Sequence, residues 1–196
     1  LRLLHAITLE TLGPRHRDAA SSWNSMGIIA WERGDDATAV RDVAQAIAIW
    51  RENESLQILP GGLFNYGMVL HSAGRHDEAL AALEESRRMR VDTIGASHAL
   101  IGETDRMIGE VLAAKGDLEG ATERFDRAVR LTRVGFGPEH PRTWFAELSM
   151  ARHQTRLGRP QEALAALETL ARHEGGGSEA PQLRWLARGS PAEARC

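Results

Sequence analysis

Apolar residues recur every three or four positions along most of this chain, which is the spacing of one face of an amphipathic helix. The first such helix is predicted at residues 18–33, and its apolar face carries Ala19, Trp23, Met26, Ile29 and Ala30. The second ends near residue 52, and its inward residues are Ala39, Val43, Ala46, Ile47 and Trp50. Six more helices are predicted at residues 62–73, 76–91, 97–115, 118–134, 141–157 and 160–173. No stretch alternates apolar and polar residues, so no strand is predicted.

Glycines mark the predicted end of the first helix in each pair. An alanine follows each of them five residues later, in the pairs Gly34/Ala39, Gly74/Ala79, Gly116/Ala121 and Gly158/Ala163. The glycines are spaced by 40, 42 and 42 residues. After Gly34, the side chain of Asp35 or Asp36 is expected to cap the next helix. Repetition at this period is typical of stacked helical repeats, which present extended binding surfaces.

A second set of small residues lies seven positions before these glycines, at Gly27, Gly67, Gly109 and Ala151. Larger residues hold another equivalent position, at Val43, Leu83, Phe125 and Leu167. A side chain larger than alanine would separate two closely crossing helices, so small residues are expected to face each other within a hairpin. The expected pairs are Gly27–Ala39, Gly67–Ala79 and Gly109–Ala121. A helix pair cannot bury both of its faces alone, and stacking of pairs is expected to supply the core.

The two ends of the chain depart from the repeat. Residues 1–16 align with residues 125–140, so residues 1–11 are predicted to be the last helix of a preceding repeat in a longer protein. The repeats that follow are predicted at residues 12–53, 60–94, 95–136 and 137–173. Three consecutive glycines predict a flexible linker within the tail 174–196, which also contains a predicted short helix at residues 182–188.

Composition narrows the classes of function. The net charge is −3 and basic residues form no cluster, which argues against nucleic-acid binding. No run of 18 apolar residues is present, so no membrane-spanning helix is predicted. The single cysteine, Cys196, permits no internal disulfide, and we expect a cytoplasmic protein. Arginine outnumbers lysine 23 to 1 and alanine is abundant, a bias that we associate with a GC-rich bacterial genome.

The recurring spacing of small residue, glycine and alanine resembles the tetratricopeptide repeat (TPR). The matching positions are Gly27/Gly34/Ala39, Gly67/Gly74/Ala79, Gly109/Gly116/Ala121 and Ala151/Gly158/Ala163. A Gly-Pro-x-His sequence at residues 13–16 and 137–140, degenerate at 95–98, resembles the kinesin light chain type, as does the 42-residue period. The resemblance covers residues 1 to about 173. It implies an all-α fold, a right-handed α-solenoid of about four TPR hairpins with a leading partial repeat.

The resemblance also implies protein–protein binding in a groove lined by the first helix of each repeat. In bacteria such arrays often follow a kinase or another signalling domain. Some family features are only partly kept: the first-helix tryptophan is present as Trp23, but its counterparts are Leu63, Asp105 and Glu147. The asparagine that kinesin light chain repeats favour is kept only as Asn65, and the positions of a chaperone-binding carboxylate clamp hold Asn24 and Ile28. A chaperone C-terminus is therefore not the expected ligand.

Histidines are the candidate metal ligands, but their spacing argues against a metal site. His16, His98 and His140 occupy one repeat position, and packed helices lie about 10 Å apart, whereas zinc ligands lie about 2 Å from the ion. Helix capping or packing is therefore expected there, and a solvated turn at His71 and His76. Catalytic sequence motifs are absent, and solvated helix faces are expected to explain most acidic residues. No enzyme activity, metal or cofactor is predicted.

The predicted partner-binding groove is the remaining candidate site. Helical geometry places on its open face Asn24, Ile28, Trp31, Phe64, Asn65, Met68, His71, Arg106, Glu110, Ser149, Arg152 and Arg156. The first repeats contribute apolar and aromatic residues and the last contribute arginines. This predicts a peptide with an acidic end and with apolar residues over Trp31 and Phe64. The alternative is that Trp31 and Met68 pack against the next repeat.

Three functions follow from these observations and stay open. The first is a non-enzymatic module that binds an unknown protein or peptide partner, with neither nucleic acid nor membrane as a partner. The second is the C-terminal regulatory or scaffold region of a larger bacterial signalling enzyme, such as a serine/threonine protein kinase. The third is self-association into a homo-oligomer, because Leu1, Leu4 and Ile7 are expected to leave an apolar N-terminal end exposed.

Overall fold

The computed structural model describes residues 2–164, except for the side chains of Arg2 and Leu4. Within this range the α-helices are α1 Arg2–Leu12, α2 Arg17–Glu32, α3 Asp36–Glu52, α4 Leu59–Ser72, α5 His76–Ile94, α6 Ala99–Lys115, α7 Leu118–Phe136 and α8 Pro141–Arg156. Residues 160–164 are also helical. The predictions for Leu1, Leu4, Leu167, Cys196 and the tail 174–196, and most of the helix predicted at 160–173, lie outside the described residues.

The chain divides into two compact units, with the boundary between Met89 and Arg90. In the first unit α1 packs on α2, α2 on α3 and α3 on α4. In the second unit α6 packs on α7 and α7 on α8. The first helices of neighbouring repeats also contact each other, α2 with α4 in one unit and α6 with α8 in the other. The helices therefore pack as sequential hairpins, and the prediction of an all-α fold is confirmed.

Local signals begin and end the helices as expected. Gly34 and Gly116 follow α2 and α6 with φ of 80° and 87°, in the left-handed region that glycine adopts without steric cost. The Asp35 carboxylate accepts a hydrogen bond from the Thr38 N–H at 3.0 Å and caps α3. Two predicted boundaries are three residues off, and the first is the end of α5, which lies at Ile94 rather than near residue 91. Helix α4 begins at Leu59 rather than at residue 62, because a proline in the first turn, Pro60, does not interrupt a helix.

The recurring spacing of small residues along the chain reflects close helix crossing inside each hairpin. A Cβ atom added at Gly27 would lie 2.5 Å from Val43 Cγ2, and one added at Gly67 would lie 2.4 Å from Leu83 Cγ. At Gly109 the nearest atom is Phe125 Cε1, at 2.8 Å. The expected glycine–alanine pairs are therefore corrected, because each glycine makes room for the larger residue four positions beyond the alanine. Ala39 and Ala79 approach only through their carbonyl oxygens, each 3.1 Å from the added Cβ.

The cores of the hairpins follow the predicted apolar faces. The inward residues predicted for α3 are all buried: Ala39, Val43, Ala46, Ile47 and Trp50. On α2, Ala19 and Ala30 are buried, but Trp23, Met26 and Ile29 are only half-buried. Ala79 and Ala121, which hold the repeated alanine position, are fully buried. Small residues at these positions thus allow the helix contacts on which each hairpin depends.

Candidate functional site

The predicted groove residues of the first unit lie on α2 and α4, which contact each other. All seven are half-buried: Asn24, Ile28, Trp31, Phe64, Asn65, Met68 and His71. The Asn65 side-chain amide donates a hydrogen bond to Asn24 Oδ1 at 3.2 Å, which joins the two first helices. This places two amides and several apolar side chains on one pair of adjacent helices, which we call the α2/α4 face.

Trp31 adds a large aromatic ring to the α2/α4 face. The ring is half-buried, and its indole N–H is buried without a hydrogen-bond partner among the described residues. A buried donor without a partner costs about 1–3 kcal/mol. The orientation of this ring is therefore set by packing rather than by a polar contact. Whether the exposed part of Trp31 contacts a peptide, as the groove hypothesis requires, stays a prediction.

The remaining groove residues lie on α6 and α8 in the second unit, on what we call the α6/α8 face. Arg106, Glu110 and Arg152 are half-buried and Arg156 is exposed, whereas Ser149 is buried, so its prediction on the open face is wrong. Arg106 Nη1 lies 4.0 Å from Glu110 Oε1, one helical turn away. This face therefore carries three arginines and one carboxylate.

The charges of the α6/α8 face influence one another. Burial lowers the pKa of the Arg106 guanidinium; Glu110 and Glu103 act in the opposite direction, and the positive charge of Arg152 lowers it further. A guanidinium is protonated in essentially all protein environments, so Arg106 remains charged at neutral pH. A ligand that brings a carboxylate to Arg106 and Arg152 would reduce the repulsion between these cations.

Three buried carboxylates are exceptions to the expectation that solvated helix faces explain most acidic residues. Asp105, fully buried on α6, lies 2.9 Å from Arg124 Nη1 and 3.1 Å from Arg127 Nε, and both arginines belong to α7. Glu147 on α8 pairs with Arg133 of α7, and buried Asp42 pairs with neighbouring Arg41 at 2.8 Å. The sequence holds a signal that could have located the first two, because Asp105 and Glu147 occupy the repeat position of half-buried Trp23 and buried Leu63.

The predicted capping histidines are confirmed. His16, His98 and His140 precede α2, α6 and α8, and each Nδ1 accepts a hydrogen bond from the backbone N–H two residues later, at 3.2, 3.1 and 3.1 Å. The solvated turn expected at His71 and His76 is corrected. Both rings are half-buried, and their Nδ1 atoms lie 3.2 Å apart because the turn between α4 and α5 brings them together.

One buried histidine was missed by the sequence analysis. His153 on α8 is 2% exposed, and its Nε2 lies 3.1 Å from the Leu118 carbonyl oxygen and 2.8 Å from Thr122 Oγ1 of α7. Its Nδ1 is buried without a hydrogen-bond partner in the part of the chain that the structure describes. Burial lowers the pKa of His153, while the bond to Leu118 partly opposes that shift. The neutral ring is therefore the favoured form.

Residues 2–164 contain no group of three or more histidine, cysteine, aspartate or glutamate side chains arranged to hold a metal ion. None of the helices in the same range is both long and apolar enough to cross a membrane. The α2/α4 and α6/α8 faces thus remain the candidate sites.

Comparison with known sequences supports the repeat assignment. Two tetratricopeptide repeat families match the chain, one over residues 100–172 and the other over residues 60–85. A secreted RxLR effector protein of Plasmopara halstedii is 25% identical over 73% of this chain, and the RxLR effector protein SFI4 of Phytophthora infestans is 27% identical over 58%. The chain spans only 42% and 34% of these relatives. Both are oomycete proteins, so the expected bacterial origin gains no support.

Comparison with solved structures supports the fold. A kinesin light chain-type protein of Podosopora anserina with nearly identical TPR-like repeats superposes with a TM-score of 0.70 and 20% sequence identity. The match covers 88% of this chain and 82% of that protein. The likeness confirms a TPR-like all-α solenoid, and it confirms the resemblance to the kinesin light chain type in structure.

Proposed function

Because the chain is a tetratricopeptide repeat protein, we propose that it binds a protein or peptide through the α2/α4 and α6/α8 faces. The TPR fold generally serves protein interaction and is typically non-catalytic. Helix pairs in such arrays bury their small residues against one another and leave the first helices to line a surface. The proposal concerns each face separately, so each can be tested by itself.

The observation that carries the proposal is the composition of the α2/α4 face. The Asn24–Asn65 hydrogen bond joins the two helices, and half-buried Trp31 and Phe64 lie on the same helices. Aromatic side chains that are already partly ordered lose little conformational entropy on binding and commonly carry most of the binding energy. We therefore expect apolar side chains of the partner on this face.

The α6/α8 face favours acidic side chains. Arg152 and Arg156 lie one helical turn apart on α8, and Arg106 on α6 is close enough to Arg152 for their charges to interact. Arginine binds carboxylates with paired, charge-assisted hydrogen bonds. The neighbouring Glu110 offsets part of the positive charge, so the attraction is expected to depend on the position of the acidic residue and to weaken with salt.

The test is binding of a peptide array rich in acidic and aromatic sequences to the full chain. We expect the double variant Arg152→Ala/Arg156→Ala to lose acidic peptides, and Trp31→Ala to lose peptides with apolar anchors. Arg88→Ala/Arg130→Ala is the matched control, because it removes two exposed arginines from the second helices α5 and α7. Unchanged binding of acidic peptides by the Arg152/Arg156 variant, or equal loss in the control, would refute the role of the α6/α8 face.

The curated relatives favour a second, broader proposal. Both are RxLR effector proteins, one of them secreted, which suggests that this repeat array acts as the binding module of such an effector. One alternative is that the protein is cytoplasmic, as the sequence predicts. The other is that this chain is the regulatory region of a bacterial signalling enzyme. Fractionation of cells that produce the full-length protein distinguishes them. Protein in the medium supports the effector proposal, and retention with a linked kinase domain supports the signalling enzyme.

A further inference from the structure

We propose that His71 and His76 together form a binding site for a zinc ion at the turn between α4 and α5. His71 lies in the last turn of α4, and His76 is the first residue of α5. The tight turn at Gly74, with φ of 75°, directs the two imidazoles toward each other. Both rings are half-buried, so the turn and the surrounding helices restrict their orientation. This site does not depend on the proposed binding of a peptide partner.

The separation of the two nitrogens matches a pair of zinc ligands. Their Nδ1 atoms lie 3.2 Å apart. Two histidine nitrogens bound at about 2.0–2.1 Å to a tetrahedral zinc ion lie about 3.3 Å from each other. The geometry already present would thus need to change by only about a tenth of an ångström at the nitrogens.

The ring positions support the same geometry. The ring centroids lie 5.1 Å apart and the ring planes are inclined by 46°. If the rings pointed at each other head-on with the same nitrogen separation, their centroids would be farther apart. At least one ring is therefore tilted away from the line between the nitrogens, as binding to a shared ion requires.

The protonation of the pair is compatible with metal binding. Without a metal, the short Nδ1–Nδ1 contact requires one ring to carry its proton on Nδ1 and donate it to the other ring. Zinc binding requires both Nδ1 atoms as unprotonated ligands, so the donating ring gives its Nδ1 proton to water and takes one up at Nε2, and both rings stay neutral. No oxidation or covalent step is involved.

The charges around the turn also tolerate a cation. Asp77 and Glu78 lie in the first turn of α5 beside His76. The nearest arginine on the turn, Arg75, is held by Glu78 through hydrogen bonds of 2.7 and 2.6 Å, which offsets its positive charge. Imidazole nitrogen is a preferred ligand of zinc, nickel and copper. With two protein ligands, the other coordination positions of zinc would hold water or a carboxylate from a bound partner.

The test is zinc titration of the full chain in a Cys196→Ser background, which removes the competing thiol, with a chromophoric chelator as competitor. We expect one zinc ion per chain. We expect affinity at least about tenfold weaker in His71→Gln and in His76→Gln, since even the outer-shell partners of metal ligands change affinity by 10–100-fold. His98→Gln is the matched control, because it removes a histidine that only caps α6. The proposal would be overturned if zinc did not bind stoichiometrically, or if His71→Gln and His76→Gln bound zinc as tightly as the chain with both histidines.

A second measurement uses the unaltered protein, so it does not depend on the folding of variants. Histidines are modified chemically with and without zinc, and the modified positions are mapped by mass spectrometry. We expect zinc to protect His71 and His76, and to leave the modification of His16 and His140 unchanged. Uniform protection of all histidines, or protection only elsewhere in the chain, would show that zinc binds without the proposed pair.

Discussion

Substitution of Gly67 by alanine tests the physical reason for the repeated small residues. A Cβ atom at this position would lie 2.4 Å from Leu83 Cγ and 3.1 Å from the Ala79 carbonyl oxygen. Leu83 is fully buried and the carbonyl belongs to the backbone of α5, so neither can move without disturbing the hairpin. Overpacking costs about 1–3 kcal/mol, and the immobile neighbours place this site in the upper half of that range; the higher helix propensity of alanine returns about 1 kcal/mol. We expect Gly67→Ala to lower the free energy of unfolding by about 1–2 kcal/mol.

Gly61→Ala is the matched control in the same helix. A Cβ atom added at Gly61 would have no neighbouring atom within 4 Å, unlike one added at Gly67. Only the gain in helix propensity therefore remains. Thermal and urea unfolding followed by circular dichroism should show a lower midpoint for Gly67→Ala and an equal or higher midpoint for Gly61→Ala. In the Gly67→Ala background, Leu83→Ala should cost less than it does alone. If Gly67→Ala were as stable as the original chain, the close-approach explanation would be refuted.

Three other predictions follow from single features of the structure. The pKa of His153 is lowered in the folded state, so its contribution to stability is fully present above the unfolded pKa near 6.5 and is lost as the pH falls through the folded pKa. The variant His153→Gln should therefore show a smaller fall of the melting temperature in acid. An unchanged acid dependence would contradict this. Asp105→Ala should cost about 2–4 kcal/mol because it removes the buried carboxylate shared by Arg124 and Arg127. A loss below about 1 kcal/mol, as for a surface pair, would show that this ion pair is unimportant. Leu3 and Ile7 of α1 are 76% and 47% exposed. The double variant Leu3→Glu/Ile7→Glu should therefore shift any oligomer toward monomer in light scattering. An unchanged molar mass of the oligomer would exclude association through α1.

Much of the candidate site depends on contacts that a single sequence does not specify. Helical spacing placed Asn24 and Asn65 on the first helices, but their hydrogen bond depends on the packing of α2 against α4. The same spacing placed Ser149 on the open face, whereas its side chain is buried. Periodicity locates a residue on a helix within a broad arc, and the position of the neighbouring helix decides whether that arc is covered.

Features that act within a few residues can be read directly from the amino-acid sequence. Helix ends at glycines such as Gly34, the cap at Asp35 and the histidine caps at His16 and His98 all follow from backbone geometry and from hydrogen bonds between near neighbours. The repeated small residues also predicted the hairpins, because the period itself indicates which helices are equivalent.

The tertiary structure alone decided the longer-range pairings. Asp105 meets Arg124 and Arg127 across a hairpin, and His153 reaches the start of α7 from α8. The sequence suggested solvated acidic faces because charged residues are usually exposed. A buried carboxylate is stable only where another helix supplies its counter-ion, and that condition depends on distances between segments that are remote along the chain.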